Sequence, residues 1–161
     1  MKKNLLLLGM ASVFALTGCH GTKKVEFKEF GEEVANISGD FKAEKVKVSG
    51  KVEGESFKAY TVSMSDKNPE LDDKQTKAYA VCLPSVTVAE LSALLAIQGS
   101  LTGLDDYSFY VGNGFKVTYE NKDSKAKAKY EYDKNGMLVS LYQVKDSKTT
   151  RISLKWTYEK K

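Results

Sequence analysis

The sequence predicts an α+β domain built on a curved antiparallel β-sheet, a half-barrel of about eight strands with two short helices, one packed on the concave face. Two observations predict this fold. Apolar residues alternate with polar ones through most of the second half of the chain, as in strands with one face in water. Two earlier segments show helical spacing or a helix-start signature. The 161 residues fit one domain behind a short leader.

The first 19 residues combine a basic start, an apolar run and a cysteine at the end. Lys2 and Lys3 precede an apolar run over residues 5–16, and small residues follow it. This layout is typical of a secretory signal peptide. The motif Leu-Thr-Gly-Cys, which ends at Cys19, resembles the lipobox of bacterial lipoproteins.

The lipobox resemblance implies that residues 1–18 are cleaved and that Cys19 is acylated, for example with palmitate. Residues 19–24 then form a polar tether, and residues 25–161 form a single β-rich domain. We expect a lipid-anchored protein on the exported face of the cell membrane. His20 follows the cysteine where an Asp would act as a retention signal, which permits outer-membrane sorting in a Gram-negative source.

The charge balance argues against a nucleic-acid partner. The net charge of +4 falls to +2 when Lys2 and Lys3 are removed, and Arg151 is the only arginine. A nucleic-acid-binding surface needs a concentrated basic patch, and bidentate phosphate recognition favours arginine.

A short amphipathic helix is predicted over residues 26–36. Its apolar residues recur at spacings of three, four and three, and they are Phe27, Phe30, Val34 and Ile37. A half-buried hairpin follows, with one strand over residues 45–53, a turn at Gly54 and a return strand over residues 57–64.

Residues 65–76 are polar and are predicted to form a loop. The apolar run over residues 78–83 is predicted to be a third strand that Pro84 terminates. Cys82 lies within this run, and we interpret it as a buried small hydrophobe rather than a reactive thiol.

The second helix is predicted over residues 88–98. Thr87 and Glu90 form a capping-box signature at its start, and Gly99 suits its C-terminal cap. The segment is apolar on most sides, so it must be buried on most sides or meet an apolar surface outside its own core.

An antiparallel meander completes the domain. Its strands are predicted over residues 107–111, 115–120, 125–132, 137–144 and 151–158. Two short helices cannot cover so many inward-facing residues, so either the sheet curls on itself or an apolar cavity remains.

The order of these elements over residues 25–161 resembles the lipoprotein-carrier half-barrels of the LolA, LolB and LppX type. No residue motif carries this resemblance. It implies a bent sheet whose concave face holds helices and acyl chains.

Catalytic chemistry has little support in the sequence. The single histidine, His20, lies in the tether, and no Gly-x-Ser-x-Gly motif is present. The paired carboxylates at 32–33, 72–73 and 105–106 lie mostly in turns, where solvated charge is the rule. We therefore predict a protein that is not an enzyme and has no cofactor and no metal site.

The leading functional hypothesis is a carrier of an apolar or amphiphilic ligand. The predicted ligand-binding residues are Leu91, Leu94, Leu95, Ile97, Leu154, Trp156 and Tyr158. The alternative is a structural or protein-interaction module of the cell envelope with a closed core and a protein partner. A cavity would favour the first hypothesis, and an exposed apolar patch would favour the second.

Overall fold

The computed structural model describes residues 22–161, which form nine antiparallel strands, three α-helices and one short 3-10 helix. The strands are β1 (Lys23–Val25), β2 (Phe41–Val52), β3 (Glu55–Ser56), β4 (Tyr60–Ser63), β5 (Tyr107–Val111), β6 (Phe115–Glu120), β7 (Lys127–Tyr132), β8 (Leu138–Lys145) and β9 (Lys148–Lys160). The helices are α1 (Phe27–Ala35), α2 (Asp73–Cys82) and α3 (Val88–Leu101), and the 3-10 helix is Leu83–Ser85. Cys19 and His20 lie outside the described residues, so lipidation stays a prediction.

All nine strands belong to one open sheet, which confirms the predicted fold class. The strand order is β1-β5-β6-β7-β8-β9-β2-β3, and β4 also pairs with β2. Register shifts interrupt the ladder between Ala43 and Lys45 and between Glu131 and Tyr132. Such bulges bend a strand and increase its twist, which suits a sheet that curves around its own core.

One face of this sheet is apolar and carries the helices. Strand register aligns Phe109, Val117 and Tyr130 across β5, β6 and β7, and it aligns Leu141 with Ile152 across β8 and β9. The opposite face is rich in lysine and faces water, as the alternation predicts. Residues 22–161 thus hold all nine described strands and an apolar core of their own.

Helix α1 covers the β5–β6 end of the core. Phe30 is fully buried, and its ring lies 5.1 Å from that of Phe109 and 5.9 Å from that of Phe115. The predicted helix over residues 26–36 is confirmed within one residue at each end.

The predicted tether ends earlier than expected. Lys23 and Lys24 form strand β1 together with Val25, and β1 pairs with β5 at the edge of the sheet. The predicted return strand over residues 57–64 is shorter than expected, because β4 runs only from Tyr60 to Ser63.

The predicted strand over residues 78–83 is wrong, because this segment belongs to helix α2 and the 3-10 helix that follows. A capping box at Asp72 starts α2: the Gln75 amide donates to the Asp72 carboxylate at 2.8 Å, and the Gln75 side chain accepts from the Asp72 amide at 2.9 Å. These bonds satisfy amides that a helix start leaves free. The predicted loop over residues 65–76 therefore ends at residue 72.

Helix α3 begins as predicted and ends later. The Thr87 hydroxyl accepts from the Glu90 amide at 3.1 Å, but the Glu90 carboxylate accepts from the Thr87 hydroxyl instead of reaching the Thr87 amide. The helix continues to Leu101, so the predicted cap at Gly99 is wrong. Gly103, at φ +86°, follows the C-cap residue and supplies the left-handed conformation that ends the helix.

No helix within residues 22–161 is both long and apolar enough to cross a bilayer.

Candidate functional site

A cavity of about 270 Å³ lies between the β4–β2–β9 end of the sheet and helix α2. Six residues form its sheet wall, and they are Val46, Val48, Tyr60, Val62, Leu154 and Trp156. The opposite wall comes from the helical segment and a nearby turn, through Tyr79, Cys82, Val86, Thr87 and Met137. None of the described lining residues is charged.

Strand register assembles the sheet wall from three strands. Tyr60 of β4 lies opposite Val48 of β2, and Val48 lies opposite Leu154 of β9. The next inward row, two residues along, is Val62, Val46 and Trp156. Because side chains on one face repeat every second residue, both rows point to the same side of the sheet.

The helical wall is positioned by polar contacts at its first turn. Three lining residues share one side of α2 and its 3-10 extension, because they follow the i, i+3, i+4 spacing of a helix face. They are Tyr79, Cys82 and Leu83. The Gln75 side chain, which is buried, donates from Nε2 to the carbonyl oxygen of Lys58 at 2.9 Å. This bond fixes the start of α2 to the segment that leads into β4.

Three hydrogen bonds lie beside the cavity, beyond the Ser140–Ser153 pair at which the β8–β9 ladder ends. The Val88 amide donates to the Gly136 carbonyl at 2.8 Å, and the Leu138 amide donates to the Val86 carbonyl at 2.9 Å. The Trp156 indole Nε1 donates to the Leu138 carbonyl at 2.7 Å. These bonds join the helical segment to the sheet and hold the Trp156 ring against the cavity.

The rim of the cavity is marked by two exposed apolar side chains. Met64 is 41% exposed and Leu83 is 48% exposed, and both line the cavity. An apolar molecule can therefore approach the cavity across an apolar surface.

The Tyr60 hydroxyl differs from the polar groups of Trp156 and Thr87 in the lining of the same cavity. It is buried and has no hydrogen-bond partner within the described residues. The indole of Trp156 and the hydroxyl of Thr87 each have a partner. A buried polar group without a partner costs about 1–3 kcal/mol. Burial raises the pKa of Tyr60, so its hydroxyl stays protonated at neutral pH.

Cys82 lies on the opposite wall and is 5% exposed, which confirms its predicted burial. Burial raises the pKa of the Cys82 thiol to about 12, so the thiolate is scarcely populated near neutral pH.

Two of the predicted ligand-binding residues, Leu154 and Trp156, line the cavity. Tyr158 lies further along β9, and its hydroxyl donates to the Asp133 carboxylate. Burial, followed by this contact, raises the pKa of Tyr158.

The four predicted residues of α3 lie elsewhere. Leu91 and Leu95 are buried in the core at 6% and 3% exposure. Leu94 and Ile97 point to solvent at 49% and 60% exposure. None of the four lines the cavity, so the structure does not bring α3 and the last strand together in one site.

A second apolar surface lies on the outside of α3. Leu94, Ile97 and Leu101 recur at spacings of three and four and are all exposed, Leu101 at 77%. We call these three residues the α3 outer face. Exposed apolar surface concentrated in one place is typical of an interaction site.

Sequence reasoning missed the helical wall of the cavity. The signal that could have found it is the Asp72-x-x-Gln75 pattern, a capping box directly before the segment predicted as a strand. Tyr60 was placed on a strand, but no sequence pattern shows that its hydroxyl lacks a partner.

Residues 22–161 contain no cluster of three or more His, Cys, Asp or Glu side chains arranged to hold a metal ion. Comparisons with protein-family models, curated proteins and solved structures give no significant match to this chain.

Proposed function

We propose that this protein is a membrane-anchored binding protein of the bacterial cell envelope that takes up one small apolar or amphiphilic molecule and performs no chemical step on it. The observation that carries the proposal is the cavity of about 270 Å³, which has no charged residue among its described lining residues and carries the exposed side chains of Met64 and Leu83 at its rim. Pockets that bind small molecules are mostly apolar with a few polar groups.

The size of the cavity limits the ligand. An apolar cavity of about 150 Å³ stays dry and binds benzene. The cavity described here is less than twice that volume, which suits a two-ring compound or a short acyl chain. A long diacyl lipid would have to extend out of the cavity along its apolar rim.

The membrane anchor is supported by the lipobox resemblance that ends at Cys19. Cys19→Ala should abolish incorporation of labelled palmitate and move the protein from the membrane fraction to the soluble fraction. Retention of label in the variant would contradict acylation at this residue.

Ligand uptake can be tested on a soluble chain that starts at His20, since residues 22–161 hold nine paired strands and an apolar core of their own. Native mass spectrometry followed by organic extraction should reveal a co-purifying molecule. Prodan, a two-ring naphthalene fluorophore that is sensitive to polarity, should gain fluorescence on binding to the chain. Val62→Phe, which places a ring in the cavity, should abolish this gain, and circular dichroism should show that the variant is folded.

The matched control is Leu94→Arg, which changes an exposed residue outside the cavity. It should leave probe uptake unchanged. A clean mass together with no probe uptake, or equal uptake by Val62→Phe, would overturn the carrier proposal.

The α3 outer face favours a second candidate function, a protein-interaction module of the envelope. A photo-crosslinking amino acid at position 97 should then capture one envelope protein in living cells. The same amino acid at position 155, on the lysine-rich face of the sheet, should capture none. Absence of any crosslink from position 97 would count against this function.

A further inference from the structure

We propose that the Tyr60 hydroxyl is the polar anchor of the cavity, and that the ligand is a neutral, mostly hydrocarbon molecule with one hydrogen-bonding oxygen. An alcohol, phenol or carbonyl compound fits this description, and a carboxylate does not. The inference rests on the proposed function and deepens it, since it names the chemical class of the ligand.

The position of Tyr60 supports this role. The residue lies on β4 opposite Val48, and it is more than nine-tenths buried in the wall of the cavity. Its ring packs against that of Phe57, with centroids 5.9 Å apart and planes inclined at 50°. Tyr79 and Cys82 belong to the opposite wall, so Tyr60 shares the lining of one cavity with both residues.

The hydroxyls of two other tyrosines, by contrast, have hydrogen-bond partners. The Tyr132 hydroxyl donates to the Ser85 carbonyl at 2.7 Å, and the Tyr158 hydroxyl donates to the Asp133 carboxylate. Within the described residues, Tyr60 Oη is the one buried side-chain polar atom without a partner. Because native proteins pair such groups almost always, a bound molecule is the natural source of the missing bond.

The electrostatics of the lining select against an anion. No lysine or arginine is among the described lining residues, so a buried carboxylate would have no counter-charge. The buried Tyr60 hydroxyl remains neutral and can either donate to a carbonyl or exchange a hydrogen bond with an alcohol. One neutral oxygen therefore matches the one buried polar atom of the wall that lacks a partner within the described residues.

Three two-ring probes of similar size separate these possibilities by isothermal titration calorimetry on the chain from His20. Naphthalene has no polar group, 2-naphthol has one neutral hydroxyl, and 2-naphthoate is an anion. We expect 2-naphthol to bind about tenfold more tightly than naphthalene, in proportion to one buried hydrogen bond. We expect 2-naphthoate to bind more weakly than 2-naphthol by at least about tenfold.

Tyr60→Phe should bind 2-naphthol and naphthalene with about equal affinity, and its affinity for naphthalene should match that of the unmodified chain. Tyr110→Phe is the matched control, since Tyr110 lies on the other face of the sheet, and it should keep the tenfold preference. Retained naphthalene affinity shows that the Tyr60→Phe cavity is intact.

The outcomes distinguish this inference from the proposed function. If naphthalene and 2-naphthol bind equally to the unmodified chain, or if Tyr60→Phe keeps the preference, the anchoring role is overturned while the carrier function stands. Binding of 2-naphthoate as tightly as 2-naphthol would also overturn it. Failure of all three probes to bind would overturn the proposed function itself.

Discussion

The cavity and the α3 outer face are both apolar, yet the domain encloses the first surface and exposes the second. Helix α2 turns its apolar side to the cavity and its charged side to water, where Lys74 and Lys77 pair with glutamates near β3. Helix α3 is apolar on both sides, and its outer face leaves Leu94, Ile97 and Leu101 in solvent. The apolar surface of α2 is used within the domain, whereas α3 carries more apolar surface than the domain buries.

This difference shows that the two candidate functions depend on separate residues. A carrier needs the enclosed surface under α2, and an interaction module needs the open surface on α3. Since no residue belongs to both sets, substitutions can change one surface and leave the other intact.

The largest expected contrast lies within α3 itself. Leu95→Ala should lower the free energy of unfolding by about 2–5 kcal/mol, because it leaves a cavity in the core at a residue that is 3% exposed. Leu94→Ala, one residue away and 49% exposed, should change it by less than about 0.5 kcal/mol. Urea unfolding of both variants measures the difference. A large loss in Leu94→Ala would show that the outer face is covered in solution.

The sequence could predict the sheet because alternation repeats along long strands. Val46 and Val48 on β2 and Leu154 on β9 were placed on the inner face by period alone, and the structure confirms this. Trp156 was assigned to the site by the same pattern.

The helical elements were harder to predict, for two physical reasons. The run over residues 78–83 is too short for periodicity to distinguish a strand from a helix. Helix α3 is apolar all round, so no sequence pattern tells which side meets the core. Leu91 and Leu95 therefore could not be separated from Leu94 and Ile97 before the fold was known.

Alkaline pH should weaken the cavity region. Burial raises the pKa of Cys82 to about 12 from a usual value of 9.0, and burial also raises the pKa of Tyr60 and Tyr132. Burial disfavours the ionised form of each group, so its contribution to folding stability is fully present below the pKa that the group has in the unfolded chain. This contribution is lost as the pH rises through the higher pKa that the group has in the folded protein. The titration of Cys82 alone should lower the free energy of unfolding by on the order of 2 kcal/mol by pH 10.5.

Thermal unfolding measured from pH 7 to pH 11 tests this expectation. The unfolding temperature should stay level to about pH 8.5 and then fall. The unfolding temperature of Cys82→Ala should fall less steeply with pH than that of the unmodified chain, because the variant lacks the titrating thiol. An equal decline of the unfolding temperature in both proteins would show that Cys82 does not cause the loss of stability at alkaline pH.

Trp156→Phe tests the hydrogen bond that joins β9 to β8 beside the cavity. The variant loses the indole donor to the Leu138 carbonyl, so it should be less stable by about 1–3 kcal/mol in urea unfolding. Tyr110→Phe, on the opposite face of the sheet, should change stability by less than about 0.5 kcal/mol. If the two variants unfold alike, the indole bond does not hold the cavity wall in solution.

The smallest expected effect is the most specific to the cavity, and it concerns two tyrosines that differ in one bond. Tyr132→Phe removes a hydroxyl that donates to the Ser85 carbonyl and should cost about 1–2 kcal/mol. Tyr60→Phe removes a buried hydroxyl that has no partner within residues 22–161, so it should leave stability unchanged or raise it by up to about 1 kcal/mol. Urea unfolding of the ligand-free chain measures both. A loss in Tyr60→Phe equal to that in Tyr132→Phe would mean that water already satisfies Tyr60, and a ligand would then have to displace that water to use the hydroxyl.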